Sequence, residues 1–79
     1  MNERDFNKLT REKRYLLLKE KGDYIAARMH AGYNVSLFAC EGLYIEMWQR
    51  LGLEYIDYIE VVKTKDQLAP YIDKFKLDL

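Results

Sequence analysis

The chain has 79 residues, 13 Lys plus Arg against 13 Asp plus Glu, one cysteine and one histidine. A chain this short buries a modest part of its surface and stands close to the limit of independent stability. A lone cysteine and a lone histidine exclude both a disulfide staple and a zinc ligand set within one chain, and zero net charge excludes the basic excess of an ordinary nucleic-acid binder. Association with another subunit is the stabilising device that composition leaves open.

Residues 1–9 read as a polar lead-in, disordered or forming a frayed helical turn. Thr10 then offers a helix N-cap, although Lys13 stands where a capping box has Glu or Gln. Residues 11–21 are, apart from Tyr15, Leu, Lys, Arg and Glu, all good helix formers. Phe6, Leu9, Lys13, Leu16, Leu17 and Glu20 trace one stripe of that helix. Gly22 is expected to end it in the left-handed conformation, with Lys19 and Lys21 suited to its negative end.

Residues 24–48 carry the strongest pattern. Ile25, Ala27 and Met29, then Val35, Leu37 and Ala39, then Leu43, Ile45 and Met47 stand at every second position, the period of a pleated strand. Strands are expected over 24–30, 34–39 and 43–49. Two loop lengths compete. Two-residue turns would pair Cys40 with Leu43 and put Leu37 on the face of Glu46. Three-residue loops, 31–33 and 40–42, pair 39 with 43, 37 with 45 and 29 with 35, all apolar. A slip of one residue exchanges the faces of a strand, so the apolar match favours the three-residue loops, with Gly42 at a position of positive φ.

Arg50 to Leu53 is the next turn. Residues 54–62 are rich in β-branched and aromatic side chains but lack clean alternation, which indicates a fourth strand buried on both sides or bulged. Thr64 and Gln67 mark the start of a closing helix, with Leu68, Tyr71, Ile72 and Phe75 at helical spacing and Pro70 in its first turn. Residues 77–79 form a tail. The expected fold is α+β, one domain over 1–79: a four-stranded antiparallel β-meander with an N-terminal and a C-terminal helix packed on one face, in the order α-β-β-β-β-α.

The three-residue loops leave the second face of the sheet unusually aromatic, with Tyr24, Phe38, Tyr44 and Trp48 as its candidate interface. It also aligns Arg28, Ser36 and Glu46 in one polar row and places His30 beside Trp48. The row can be an anion site with Glu46 as a base, or a cross-strand ion pair over a small residue; the second is the more ordinary outcome. His30 has no nucleophile or carboxylate in reach of the pattern, and Cys40 beside Glu41 lacks the electropositive setting of a reactive thiol. No nucleophile–His–acid arrangement and no Gly-rich phosphate loop is present, so no catalytic, cofactor or metal residue is assigned.

Charge is polarised along the chain: residues 1–32 hold eight basic against five acidic residues, and residues 33–79 five basic against eight acidic. Rings with few cations suit protein–protein interfaces better than base stacking. The expected function is a non-enzymatic interaction domain that self-associates, most simply as a homodimer, through the aromatic face. The alternatives are a small-ligand or anion-binding protein, enzymatic or not, using Arg28, His30 and Glu46, and, more weakly, single-stranded nucleic-acid binding. No apolar run reaches the roughly 20 residues of a membrane span, no signal-peptide core is seen, and one unpaired cysteine fits a reducing, cytoplasmic setting.

Gly22-Asp23-Tyr24-Ile25-Ala26-Ala27-Arg28, with Gly42-Leu43-Tyr44-Ile45-Glu46-Met47-Trp48 and Ile59-Glu60-Val61, resembles a group of short uncharacterised bacterial proteins. The resemblance covers most of the chain after Thr10. It carries no known activity and therefore implies no site residues, cofactor or partner.

Overall fold

The structure, a computed structural model, describes residues 1–72; Phe75 of the expected closing helix and the tail at 77–79 lie outside the described residues. The elements are α1 (Glu3–Asn7), α2 (Arg11–Lys21), β1 (Asp23–His30), β2 (Tyr33–Cys40), β3 (Leu43–Arg50), β4 (Tyr55–Val61), a 3-10 turn (Lys65–Leu68) and α3 (Ala69–Ile72). The four strands form one antiparallel sheet in sequence order, as the meander reading requires.

The expected helix start is present: the Thr10 hydroxyl accepts a hydrogen bond from the Lys13 amide at 3.2 Å. The lead-in is not merely polar. Asn2 caps a short helix by accepting from the Asp5 amide at 2.8 Å, and that helix sinks Phe6 completely into the core. Gly22 also differs from expectation. Its φ of −82° and ψ of 137° are extended, and its amide donates to the Leu18 carbonyl at 2.8 Å. Glycine is needed there for space, because a Cβ would stand 2.5 Å from the Leu18 carbonyl oxygen.

Register is the main correction. His30 pairs with Tyr33 and Cys40 with Leu43, so both hairpins close through two-residue turns, Ala31-Gly32 and Glu41-Gly42. Both residues of each turn have positive φ (47° and 84°, then 51° and 81°), the type I′ geometry whose twist matches the flanking strands. The pairs 39 with 43, 37 with 45 and 29 with 35 are therefore absent. Leu37 stands opposite Glu46, and Ile45 opposite Phe38.

The shift divides the nine apolar residues between two faces. Ala27, Met29, Leu43, Ile45 and Met47 lie on the front face, whereas Val35, Leu37 and Ala39 lie on the back. A bulge between Tyr24 and Ala26 lets Ile25 join the back as well. Both faces are covered. On the front, Phe6 and Leu18 pack on Cys40, Ile45, Ile59 and Val61; on the back, Leu68 and Tyr71 pack on Ala26 and Leu37. The helices thus flank the sheet instead of sharing one side. This explains why alternation misled: the run Val35-Ser36-Leu37 is buried throughout, so period two carries no inside–outside contrast there.

β4 contains the expected irregularity. Tyr58 pairs with Trp48 but Ile56 with Gln49, leaving Asp57 as the extra residue of a bulge. Its outer edge is closed by α2. Arg14 donates through Nη1 to the Ile59 carbonyl at 2.8 Å, through Nε to Leu9 at 3.1 Å and through Nη2 to Asn7 at 3.0 Å. Its guanidinium also lies 5.1 Å from the Phe6 ring centre. Arg11 adds a bond to the Ile56 carbonyl at 3.2 Å. At the other end, Gln67 accepts from the amides of Lys63 and Thr64 at 2.6 and 3.0 Å, so the sequence signal at 64–67 marks a real start.

Two stability measurements test this account. Glu41→Asn should raise the thermal midpoint by an amount equivalent to about 0.5–1 kcal/mol, because Asn tolerates the left-handed conformation, while Gly42→Val should lower it by about 1–2 kcal/mol. Arg14→Met keeps the bulk over Phe6 but removes every donor to the three carbonyls, and denaturant titration should show a loss of roughly 1.5–3 kcal/mol.

Candidate functional site

The back face carries the polar residues singled out from the sequence, in a different arrangement. Alternation along β1 places Ala26, Arg28 and His30 there; along β3 it places Tyr44, Glu46, Trp48 and Arg50. Ser36, opposite Ala27 and Met47, is on the front and leaves the proposed row. The four candidate interface rings do not form one surface. Tyr24 and Phe38 meet edge to face on the front, with centres 5.8 Å apart, whereas Tyr44 and Trp48 are on the back.

Glu46 is the centre of the polar group. It is a buried carboxylate, 5 % exposed, in a sheet otherwise lined by Leu37 and Ala26. Burying a charge is unfavourable unless it is paired and hydrogen-bonded. Both conditions are met on one oxygen: the Tyr71 hydroxyl donates to Oε2 at 2.5 Å, and Arg28 Nη2 donates to it at 3.4 Å. The Arg28 guanidinium is held over the rings of Trp48, at 5.3 Å, and Tyr71, at 5.5 Å. Its Nε is buried without a hydrogen-bond partner among the described residues. Burial, and then the bond to the Glu46 carboxylate, pushes the Tyr71 hydroxyl well above its ordinary pKa of 10.0. Arg28 and Glu46 therefore meet each other, as the ion-pair reading has it, and Tyr71 completes the group. Tyr71 stood out in the sequence only as a core position of a helix; no local signal ties it to a residue 25 positions earlier.

A second polar group lies further along the same face. Asp57, displaced by its bulge, accepts from the Tyr33 hydroxyl at 2.6 Å and from Arg50 at 2.7 and 3.2 Å. Those bonds, Tyr33 first, hold the Asp57 carboxyl below the usual carboxylate range, and the same bond raises the Tyr33 hydroxyl. Between the two groups stands a ring cluster. Tyr33 meets Trp48 at 5.5 Å, Trp48 meets Tyr58 at 6.5 Å, Tyr33 meets Tyr58 at 6.3 Å, and His30 meets the edge of Trp48 at 5.9 Å. The sequence pattern puts Tyr33 in a loop and Tyr58 in a strand without clean alternation, so neither carries a signal for this face. Tyr33, Trp48, Tyr58 and Glu60 line an open hollow of about 260 Å3.

The front has a different feature. α2 turns Leu17 and Leu18 toward the sheet and leaves Tyr15 and Leu16 outside, with Leu16 61 % exposed. Beside them runs an apolar groove of about 380 Å3 bordered by Tyr15, Leu16, Tyr55, Ile56 and the charged pair Arg11 and Glu12. Cys40 is 2 % exposed within the front core, and burial pushes its thiol pKa up, which is the setting of an inert packing cysteine. Among the described residues no three His, Cys, Asp or Glu side chains converge as a metal set, and no helix is long and apolar enough to cross a membrane. Compared with protein-family models, with curated proteins and with solved structures, the chain matches none.

The Tyr71–Glu46 bond can be read through alkaline stability. A phenol whose pKa is raised by folding contributes stability in full below pH 10 and loses it as pH rises toward its folded value. Wild-type stability should fall progressively above pH 10 in urea titrations. Tyr71→Phe should be less stable at pH 7, by about 1–3 kcal/mol, and should lose that part of the alkaline slope.

Proposed function

We propose that the chain is a non-enzymatic interaction domain that self-associates as a symmetric dimer, through the groove beside α2 instead of a continuous aromatic face. The observation that carries this is a projection standing next to a depression of the same chemistry. Leu16 is exposed and the groove beside it is lined by Tyr15, Tyr55 and Ile56, with Leu53, 66 % exposed, in the adjoining turn. A twofold axis through such a surface lets each Leu16 enter the groove of the other copy, which is the self-complementarity an isologous contact requires. The rim carries Arg11 against Glu12 and Glu54, so a twofold axis can set each Arg11 toward a carboxylate of the other copy.

Size supports the same reading. A 79-residue chain without a disulfide gains the apolar burial it lacks by covering such a surface. The polar groups on the back support a non-enzymatic role, since Arg28 is paired with Glu46 and Arg50 with Asp57. A reducing, cytoplasmic setting belongs to this reading because the free Cys40 is a packing residue.

Sedimentation equilibrium supplies the test. The wild-type chain should be dimeric at micromolar concentration, and Leu16→Glu should be a monomer with unchanged circular dichroism and unchanged Trp48 fluorescence. A wild-type monomer at high micromolar concentration rejects the proposal. So does a Leu16→Glu variant that still forms the dimer.

A further inference from the structure

The hollow on the back face lies apart from the dimer surface, and we infer that it is a recognition site for a methylated ammonium group, with Tyr33, Trp48 and Tyr58 as its walls and Glu60 as its counter-charge.

Three rings bound the hollow at steep angles: Tyr33 and Trp48 are inclined by 76°, Trp48 and Tyr58 by 82°, and Tyr33 and Tyr58 by 47°. Trp48 meets Tyr33 and Tyr58 edge to face, so rings inclined to one another line the hollow, and π surface exposed there attracts a cation too large and too weakly hydrated to need hydrogen-bond acceptors. Two of the three walls are held in advance. Tyr33 is anchored by its bond to Asp57, and Trp48 is packed between His30, Tyr33, Tyr58 and Arg28. The face already shows this chemistry within the chain, since the Arg28 guanidinium lies over Trp48 and Tyr71.

Charge decides between occupants. Arg28 is paired with Glu46, and Arg50 with Asp57, whereas Glu60 makes no ion pair among the described residues. Glu60 also stands directly opposite Glu46 on β3, so two carboxylates face each other across one strand pair. Glu46 is already paired with Arg28, so Glu60 is the carboxylate of the two that is left for an incoming cation. The same carboxylate opposes a nucleic-acid strand, whose phosphates would approach Glu60 as its bases stacked on the rings. A primary ammonium is less favoured: it brings three strongly hydrated N–H donors, and besides Glu60 the lining offers as acceptors the Tyr33 and Tyr58 hydroxyls, the first already bonded to Asp57. A quaternary ammonium has no donor to satisfy. The hollow of about 260 Å3 is open and fits a head group better than a whole enclosed ligand.

Trp48 is the only tryptophan of the chain, so its fluorescence reports on this wall alone. The probes are choline, its uncharged isostere 3,3-dimethylbutanol, and a short peptide carrying trimethyllysine or unmodified lysine. Choline and the trimethylated peptide should change Trp48 emission saturably in the millimolar range or below, and the isostere and the unmodified peptide at least tenfold more weakly. The tighter of the two bound probes identifies the source, free or protein-borne. Glu60→Gln should weaken choline severalfold, and Tyr58→Leu by roughly tenfold, with the circular dichroism of both variants unchanged. Three outcomes overturn the inference. They are no saturable response to either methylated probe, an equal response to choline and its isostere, and tighter binding of a single-stranded oligonucleotide than of either. Leu16→Glu should bind choline as the wild type does, so this result and the oligomer result are independent.

Discussion

The hand of two tight turns governs everything else in this molecule. Ala31-Gly32 and Glu41-Gly42 adopt positive φ at both positions, and that twist fixes how β1, β2 and β3 align. Because side chains alternate across a sheet, the alignment decides which residues share a face. It sends Leu37 and Glu46 to the same side, an arrangement unfavourable in isolation. The chain answers with Tyr71 and Arg28, which converge on one Glu46 oxygen from the C-terminal segment and from β1. A backbone preference in two turns thus creates a buried charge, and that charge fixes where the closing helical segment docks.

Much of the architecture was legible because its signals are local. The Thr10 cap, the Thr64–Gln67 helix start, the number and order of strands and the irregularity of β4 each rest on a few neighbouring residues, and each is present. What failed depends on partners far away in sequence. Three-residue loops match apolar residues with apolar ones, a sound rule when one face is wet. Here Phe6 and Leu18 cover one side and Leu68 and Tyr71 the other, so the rule had no contrast to detect. The same lack of contrast hides that the helices cover opposite faces. Glycine after a helix commonly signals a left-handed cap, whereas at Gly22 the limit is the close approach of the Leu18 carbonyl.

The site was legible in composition and not in position. Arg28, Glu46, His30 and Trp48 do belong to one face, and the excess of rings is real. Ser36, Tyr24 and Phe38 leave that face once the register moves by one residue, and Tyr33 and Tyr58 enter it. The back is thereby divided. Leu68 and Tyr71 cover its Ala26–Leu37–Glu46 part, and the rings of Trp48, Tyr33 and Tyr58 line the rest. The division leaves two separate surfaces: the front groove is apolar with Arg11, Glu12 and Glu54 at its rim, and the back hollow is aromatic with Glu60, which makes no ion pair among the described residues, beside it.

The arginines of α2 have a consequence for what the molecule cannot become. A meander ends in lone strands, and a lone strand is a template on which further chains can grow into fibrils. Arg14 and Arg11 occupy the outward carbonyls of Ile59 and Ile56, so an incoming backbone would have to displace charged donors before it found an acceptor. Polymerisation from the β4 side is therefore checked by the first long helix of the chain, a safeguard already in place once α2 has docked.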